Sequence, residues 1–418
     1  MRSKAVVALL VLAGCGLDPS TTRTAADPAS LDAALASVRH AARPDLRVMT
    51  RNLYLGADIV ALASAQDPLD AIMAANAAWA GVQATRFPDR AEAIAREIDQ
   101  ASPDVIALQE VTTWRLDGEV YQDFLEILLG ALERRGLHFE VAARITSMDA
   151  ELYVGDPSDL ATMKMLRYTD HDVILVRHGV AWRDAPLPPP PWLPGFIPAP
   201  APVPPIPGDR GGALYAVALE SGLPATAFFT VGGSTIFSWR GLAVTEVERG
   251  GRWVRVLATH VEDTFPSLLE MDPPLPPWLF QGLQDAQLVG LLGALQADSA
   301  TALPTVVLGD FNVYVEPADP APVTYTFLTG GDFPLIPELS GASPLRDAWT
   351  ALHPDDWGFT WGFSPDLRSG RLSTRLDLVL STSDVVPREI ERTGVHERAP
   401  GGLHPSDHAG LRATLHVE

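Results

Sequence analysis

The sequence has little positive charge. Of its 418 residues, 31 are lysine or arginine and 52 are aspartate or glutamate, so the formal net charge is −21. Broad electrostatic binding to nucleic acid or to anionic lipid requires a cationic surface, and this charge balance argues against both. A phosphate-bearing substrate stays compatible with it if metal ions supply positive charge locally.

Cysteine and long apolar runs are also scarce. Cys15 is the only cysteine, so a mature chain has no disulfide bond and depends on packing or bound metal for its stability. Arg2 and Lys4 precede the apolar residues 5–12, which are too few to span a bilayer and have the length of a signal-peptide core. No later stretch is long and apolar enough to predict a transmembrane helix.

The residues Leu-Ala-Gly-Cys that end at Cys15 resemble the bacterial lipobox. This resemblance implies that residues 1–15 are a lipoprotein signal peptide and that Cys15 is lipidated and becomes the mature N-terminus. The alternative is an ordinary secretory signal with an incidental cysteine. We therefore expect a protein that is exported and lipid-anchored to the bacterial cell envelope, or secreted if the lipobox is not used.

The rest of the chain has the composition of a globular domain, with 47% hydrophobic and 20% charged residues. Residues 16–45 are predicted to be a flexible tether with a short helix over 31–42, and residues 46–418 to be one catalytic domain. A proline-rich stretch near 185–209 breaks the pattern, because proline lacks an N–H donor and fixes φ. Strands and helices are predicted on both sides of it, so we interpret it as an insertion within that domain.

Hydrophobic periodicity predicts alternating strands and helices. The predicted strands cover residues 47–53, 105–108, 139–143, 173–176, 213–220, 243–248, 253–259, 303–308, 375–381 and 411–417. The predicted helices cover residues 71–84, 88–100, 121–135 and 283–295. Residues 147–170 are predicted to form a long polar loop.

The tetrapeptide Gly309-Asp310-Phe311-Asn312 follows one of the most apolar predicted strands. Gly309 is expected to let the chain bend where that strand ends. In extended backbone Asp310 and Asn312 point to the same side, where a carboxylate and a carboxamide suit a hard cation or a reacting phosphate.

Further polar residues lie at or beside other predicted strands, and a sheet can gather strand ends into one cleft. This set offers carboxylates for a divalent cation, carboxamides for orientation and histidines as acid, base or charge stabiliser. It consists of Asn52, Glu110, His260, Asp310, Asn312, Asp377, Asp407 and His408.

The motifs around these residues occur in the order typical of the endonuclease/exonuclease/phosphatase superfamily, which the chain resembles from about Arg47 to its C-terminus. The motifs are Met49-Thr50-Arg51-Asn52, Leu108-Gln109-Glu110, Ala258-Thr259-His260, Gly309-Asp310-Phe311-Asn312, Arg375-Leu376-Asp377 and Ser406-Asp407-His408. The resemblance implies a DNase I-like α/β fold, a four-layer sandwich of two packed mixed β-sheets flanked by helices. It also implies Mg²⁺ as cofactor, with Mn²⁺ or Ca²⁺ as alternatives.

The resemblance further implies roles for these residues. Glu110 is the expected principal metal ligand, and Asn52 and Asp407 complete or orient the metal shell. Asp310 is expected to position or deprotonate the attacking water. Asn312 is expected to hydrogen-bond the phosphate or the nucleophile.

The histidines are expected to face the phosphoryl group. His408 is expected to contact a phosphoryl oxygen while Asp377 orients its ring, and His260 to be a second such donor. Arg240 is a candidate phosphate ligand, although a surface arginine beside a turn is an equal alternative. Trp357, Phe359 and Trp361 are expected to pack in the core, with an aromatic rim for a base or lipid as the alternative.

We therefore expect a metal-dependent phosphate-ester hydrolase, most simply a phosphodiesterase, that acts by in-line attack of water. Its substrate is a nucleic acid, a phospholipid or a small molecule. An extracellular nuclease, a sphingomyelinase-like lipid phosphodiesterase and a phosphomonoesterase are the alternatives within the class. Residues 273–280 are a candidate lipid-contacting loop, with a buried hairpin as the alternative. A catalytically silent binding protein on the same fold is the competing class. We expect a monomer with no protein partner.

Overall fold

The computed structural model describes residues 44–418 except for residues 60–61, 63–64, 66, 186–195, 199–208, 215–216, 220–226, 232–233, 239, 264–276, 298–302, 317–321, 333–336, 338–339 and 342. The predicted signal peptide and the helix expected over 31–42 lie outside the described residues. So do nearly all of the tether and most of the proline-rich stretch. Within the part that is described, no helix combines the length and the apolar character needed to cross a bilayer.

The described strands are β1 (Asp45–Asn52), β2 (Val105–Gln109), β3 (Thr113–Leu116), β4 (Glu119–Asp123), β5 (Phe139–Val154), β6 (Lys164–Arg177), β7 (Trp182–Asp184), β8 (Phe196–Pro198), β9 (Gly212–Leu214), β10 (Val217–Leu219), β11 (Ala227–Val231), β12 (Ser234–Ser238), β13 (Gly241–Arg249), β14 (Arg252–His260), β15 (Thr305–Val315), β16 (Arg346–Asp347), β17 (Trp361–Phe363), β18 (Gly370–Ser381), β19 (Val385–Thr393) and β20 (Gly410–Val417). The described helices are α1 (Pro68–Thr85), α2 (Phe87–Ala101), α3 (Phe124–Glu133), α4 (Pro277–Ala297), α5 (Val323–Leu328) and α6 (Ala348–Leu352). A single 3₁₀ turn covers Leu160–Thr162.

Most of the described strands form two large mixed sheets, and β8 and β10 pair separately with each other. The first has the order β11-β12-β5-β6-β2-β1-β20-β19, and the hairpin β3–β4 joins it at β6. The second has the order β16-β18-β15-β14-β13-β7, and β17 and β9 pair with β18 and β13. The pairs β1–β2 and β14–β15 are parallel, whereas the other pairs of described strands are antiparallel.

The two sheets pack face to face, and the helices cover their outer faces. Alternate residues of β2 point to opposite sides, so Val105 and Ala107 belong to the core between the sheets. Ile106 and Leu108 instead pack in the core that contains α1, α2 and α3. Helix α4 belongs to a third core with residues of β14, β15 and β18. Each fully buried Leu, Ile or Val contributes about 1.5–3 kcal/mol. The four-layer fold expected from the sequence is confirmed.

Parallel pairing within each sheet places the site residues at one edge. In the first sheet Asn52 is the register partner of Gln109, the residue before Glu110. In the second sheet His260 is the register partner of Asp310, and Asp310 is the register partner of Asp377.

One predicted helix is shorter than expected, and one predicted loop is wrong. The helix expected over 121–135 begins only at Phe124, because Asp123 caps it by accepting a hydrogen bond from the N–H of Glu126. Residues 147–170 are not a long loop, since β5 and β6 form one extended hairpin across most of them. Its polar residues alternate with buried ones, so one face of this hairpin is half-exposed.

Two further expectations need correction. The strand after residue 303 does not end at Gly309 but continues to Val315, with a register irregularity after Asp310. Residues 277–280 are neither a loop nor a hairpin, because they begin helix α4. Residues 273–276 lie outside the described residues.

Candidate active site

A cavity of about 340 Å³ opens where the strand ends meet. Most of the polar residues expected to act in catalysis, together with one that was not expected, line it. They are Glu110, Asp170, Arg240, His260, Asp310, Asn312, Asp407 and His408. Asn52 and Asp377 are fully buried and contact this set from behind.

Asp310 lies between the two histidines. Its Oδ2 atom is 3.7 Å from Nε2 of His260 and 3.7 Å from Nε2 of His408. Burial raises the pKa of Asp310 to about 7, although the charge of His408 opposes this. A carboxylate with this pKa can accept a proton near neutral pH.

His408 and Asp377 form a buried pair. Nδ1 of His408 lies 2.8 Å from Oδ2 of Asp377. Burial lowers the pKa of the imidazole, but the charges of Asp377, Asp407 and Asp310 outweigh it and raise the pKa to about 10. His408 is therefore an imidazolium at neutral pH, with Nε2–H free of Asp377. The contact expected between these two residues is present.

Asn52 connects the two sheets through its carboxamide. Its Nδ2 group donates to Oε1 of Glu110 and to Oδ2 of Asp310, each at 3.0 Å. Its oxygen accepts from the N–H of Tyr54 at 2.8 Å. Asn52 thereby orients two carboxylates at once, and direct metal ligation by its oxygen stays a prediction.

The backbone conformation around Asp310 shows why the tetrapeptide needs its glycine and how its asparagine is oriented. A Cβ atom at Gly309 would lie 1.9 Å from the carbonyl oxygen of Thr259, so only glycine allows β14 and β15 to approach here. Asn312 has φ of 49°, so the extended backbone expected at this point is absent. Its N–H donates to Oδ1 of Asp310 at 3.1 Å, and its Nδ2 donates to the carbonyl of Val261 at 2.9 Å.

Two groups of side chains are candidates for a metal site. Ligand atoms of Asp310, Asp377 and His408 lie within 4.8 Å of one another. In that group the imidazolium offers no lone pair, and one oxygen of Asp377 already contacts it. Glu110, Asp407 and Asn52 offer oxygen atoms only, which suits Mg²⁺, Mn²⁺ or Ca²⁺.

The negative charges around Glu110 also favour the binding of a cation. Burial raises its pKa to about 8, and the negative charges of Asp407 and Asp170 add to this effect. The pKa of Asp407 is raised as well, first by burial. A divalent cation would relieve this crowding of carboxylates, so the residues present fit the expected metal.

Arg240 lines the cavity but is not a free surface arginine. Its Nε and Nη2 groups donate to both carboxylate oxygens of Glu262, at 3.4 and 3.2 Å. Glu262 is fully buried, and Gln284 donates both to its carbonyl and to that of Asn312. The arginine is therefore held at a fixed position on the wall of the cavity.

Two carboxylates of β6 lie at the site although the sequence motifs do not include them. Asp172 is fully buried, neither of its oxygens has a hydrogen-bond partner among the described residues, and Oδ1 lies 3.8 Å from Nδ1 of His260. Burial raises the pKa of Asp172 far above its ordinary value and lowers the pKa of His260, so burial favours the uncharged form of both groups. Asp170 accepts hydrogen bonds from Thr112 and Ser147 and lines the cavity.

The sequence itself contains a sign that Asp172 is unusual. Asp172 interrupts the apolar side of a strand just as Asp377 does, and the desolvation of such a carboxylate indicates a special environment. Trp361 is a further correction, because it is half-buried and lines the cavity.

The family model of the Endonuclease/Exonuclease/phosphatase family matches residues 73–408. The chain therefore belongs to this family of phosphoric ester hydrolases, whose members depend on a divalent metal ion. Comparison with curated proteins by sequence gives no match.

Solved structures of low sequence identity are similar to this chain. The human Nocturnin catalytic domain with bound sulfate anion has 18% identity, a TM-score of 0.45, and coverage of 90% of this chain and 96% of that one. TDP2 of D. rerio complexed with single strand DNA product has 15% identity, a TM-score of 0.44, and coverage of 89% and 98%. An endonuclease/exonuclease/phosphatase from Beutenbergia cavernae DSM 12333 has 17% identity, a TM-score of 0.44, and coverage of 90% and 72%.

Proposed function

We propose that the protein is a phosphodiesterase that uses a divalent cation, with Mg²⁺ as the first candidate, and that Asp310 is its general base. The observation that carries this proposal is the position of Oδ2 of Asp310, equidistant from Nε2 of both histidines. A phosphoryl group that contacts the histidines brings its phosphorus within reach of a water held by Asp310. This geometry suits in-line attack.

Each residue has a role in catalysis that follows from its charge. Asp310 takes the proton of the attacking water, and Asn312 fixes the carboxylate through its N–H. The imidazolium of His408 stabilises the negative charge that develops on a phosphoryl oxygen, and neutral His260 donates or accepts one hydrogen bond. Arg240, which Glu262 holds in place, is a further candidate hydrogen-bond donor to the same phosphate.

Glu110, Asp407 and Asn52 would hold the metal ion. When bound, the ion supplies neutralisation of the non-bridging oxygens and of the leaving group. Because the ion would provide this neutralisation, chelation is expected to abolish turnover.

The test is hydrolysis of bis(p-nitrophenyl) phosphate with and without EDTA. Asp310→Ala and His408→Ala are expected to lower kcat at least 100-fold. His178→Ala, at an exposed histidine away from the cavity, is the matched control. Wild-type protein that hydrolyses no phosphodiester or phosphomonoester, like the variants, would support a binding protein instead. Turnover insensitive to EDTA would favour a site that uses histidines alone.

We further propose that the protein is exported and anchored to the cell envelope through a lipid on Cys15. The support is the lipobox-like sequence after a basic and apolar segment. Metabolic labelling with a radioactive fatty acid is expected to mark the wild-type protein but not Cys15→Ser. A labelled Cys15→Ser variant, or an unlabelled wild-type protein in the soluble fraction, would contradict the anchor.

A further inference from the structure

The wall of the cavity is unusually acidic for a site that binds phosphate. Among the described residues that line it, six carry a carboxyl group, one carries a guanidinium group and two carry an imidazole. Two of the carboxylates, Asp58 and Asp263, are not expected to act in catalysis. The charge of the single arginine, Arg240, is already balanced by Glu262.

Neither lysine nor the gaps in the described chain after residue 43 add a cation to this wall. None of the gaps in the described chain after residue 43 contains lysine or arginine, whereas they contain Glu220, Glu270, Asp272, Asp298, Asp319 and Glu338. Lysine occurs only at Lys4 and Lys164. Lys164 does not line the cavity and lies 4.0 Å from Asp117.

Apolar and aromatic side chains complete the lining. The rings of Tyr314 and Trp361 lie 6.3 Å apart at an angle of 73°. The hydroxyl of Tyr314 donates to Oδ1 of Asp263 at 2.8 Å, so an aromatic ring and a carboxylate form one surface. Such a surface can accept an uncharged group or a cationic amine, but not an anion.

We propose that the cavity accepts esters that carry a single phosphate and otherwise uncharged or cationic organic groups, and that it disfavours polyanions such as nucleic acid strands. This proposal rests on the proposed hydrolase function. A nucleic acid strand carries one negative charge at every ~3.4 Å. Phosphates beside the scissile one would therefore meet Asp58 and Asp263 instead of cations.

A matched pair of esters tests this charge selectivity. The first is the p-nitrophenyl ester of thymidine 5′-phosphate, and the second is the same compound with an added 3′-phosphate. At low ionic strength and constant free Mg²⁺, kcat/KM is expected to be at least tenfold lower for the second ester. Added NaCl is expected to narrow this difference, because salt screens repulsion.

Substitutions at Asp58 and Asp263 test whether these two carboxylates cause the charge selectivity. Asp58→Asn and Asp263→Asn are each expected to raise the relative kcat/KM of the bisphosphate about twofold, which is the effect of one charge at ~8 Å in water. Asp355→Asn, at an exposed aspartate outside the cavity, is the control and is expected to leave the ratio unchanged.

Two results would overturn the proposal, and they distinguish a wrong charge selectivity from a wrong hydrolase function. If the bisphosphate is hydrolysed as fast as the monophosphate or faster, and salt slows its turnover, the cavity attracts polyanions and the charge selectivity is wrong. If neither the wild-type protein nor any of these variants hydrolyses either ester, the proposed hydrolase function is wrong, and the charge selectivity is wrong with it.

Discussion

Asp377→Asn removes the carboxylate that holds the ring of His408, while it keeps the size of the side chain. The distance between Nδ1 and Oδ2 is 2.8 Å, and both side chains are shielded from water. Together with Asp407 and Asp310, this carboxylate raises the pKa of His408 to about 10. The substitution therefore weakens the protonated ring that is expected to stabilise the phosphoryl oxygen.

The size of the effect follows from the pKa. The difference between about 10 and the ordinary 6.5 corresponds to about 5 kcal/mol of preference for the imidazolium, at ~1.36 kcal/mol for each pH unit. Of the three carboxylates that raise this pKa, Asp377 has the largest effect and is also the one that contacts the ring, so we assign about half of the preference to it. A loss of about 2–3 kcal/mol lowers the pKa of His408 by about two pH units, so kcat is expected to be about 30- to 150-fold lower above about pH 10, where the ring of the variant has lost its proton.

The assay is kcat for bis(p-nitrophenyl) phosphate between pH 6 and 11 at saturating Mg²⁺. Activity that needs the imidazolium is lost as the pH rises through the pKa of His408. Without Asp377 that pKa falls, so the alkaline limb is expected to move from about pH 10 to about pH 8. Asp384→Asn is the control, since Asp384 is exposed just after the same strand. A kcat within twofold of wild type and an unmoved alkaline limb would refute the reasoning.

Three further predictions concern the metal, the fold and its pH dependence. The pKa of Glu110 is about 8, so the Mg²⁺ concentration for half-maximal turnover is expected to rise about tenfold for each pH unit below 8. Glu110→Gln raises that concentration at least tenfold and abolishes its dependence on this titration. Gly309→Ala is expected to cost at least ~3 kcal/mol in urea unfolding, because its Cβ would overlap the carbonyl of Thr259. Asp285→Asn is expected to stabilise the fold at pH 7 by up to ~3 kcal/mol, since burial raises the pKa of Asp285 to about 6.

Each of these predictions has a control. For Asp285 the sign follows from the protons bound: the folded state holds its proton up to about pH 6, the unfolded state only to about 4. The gain from Asp285→Asn should therefore vanish below about pH 4, and a gain that is constant with pH would contradict the explanation. For Gly309 the comparison is Gly251→Ala, where φ is also positive but the space is open, so about 1–2 kcal/mol is expected. Equal losses at the two glycines would remove the role of crowding. A Mg²⁺ requirement that ignores pH would exclude Glu110 as a ligand that must lose a proton.

Much of the fold was predictable because short apolar runs specify buried strands. The strand over 105–108 and the paired strands over 243–248 and 253–259 are present nearly as predicted. The hairpin β5–β6 was not predictable from local pattern, since its outer half carries polar residues that only cross-strand pairing explains. Helix α3 began late because a single capping interaction outweighed helical composition.

Some features of the candidate active site were likewise predictable from the sequence, and others were not. The residue types and the order of the motifs are properties of the sequence, and they were enough to expect a metal-dependent phosphate-ester hydrolase. The contacts of Arg240 with Glu262 and of His260 with Asp172 are not, because each joins residues from separate elements.

Local sequence thus determined which chemical groups are available at the strand ends, since hydrophobic alternation and glycine placement act over a few residues. Only the tertiary structure decided how those groups behave. Burial and neighbouring charges, brought together by sheet register, raise the pKa of Asp310 to about 7 and that of His408 to about 10. Those shifts depend on distances between residues far apart in the chain, and no local pattern contains them.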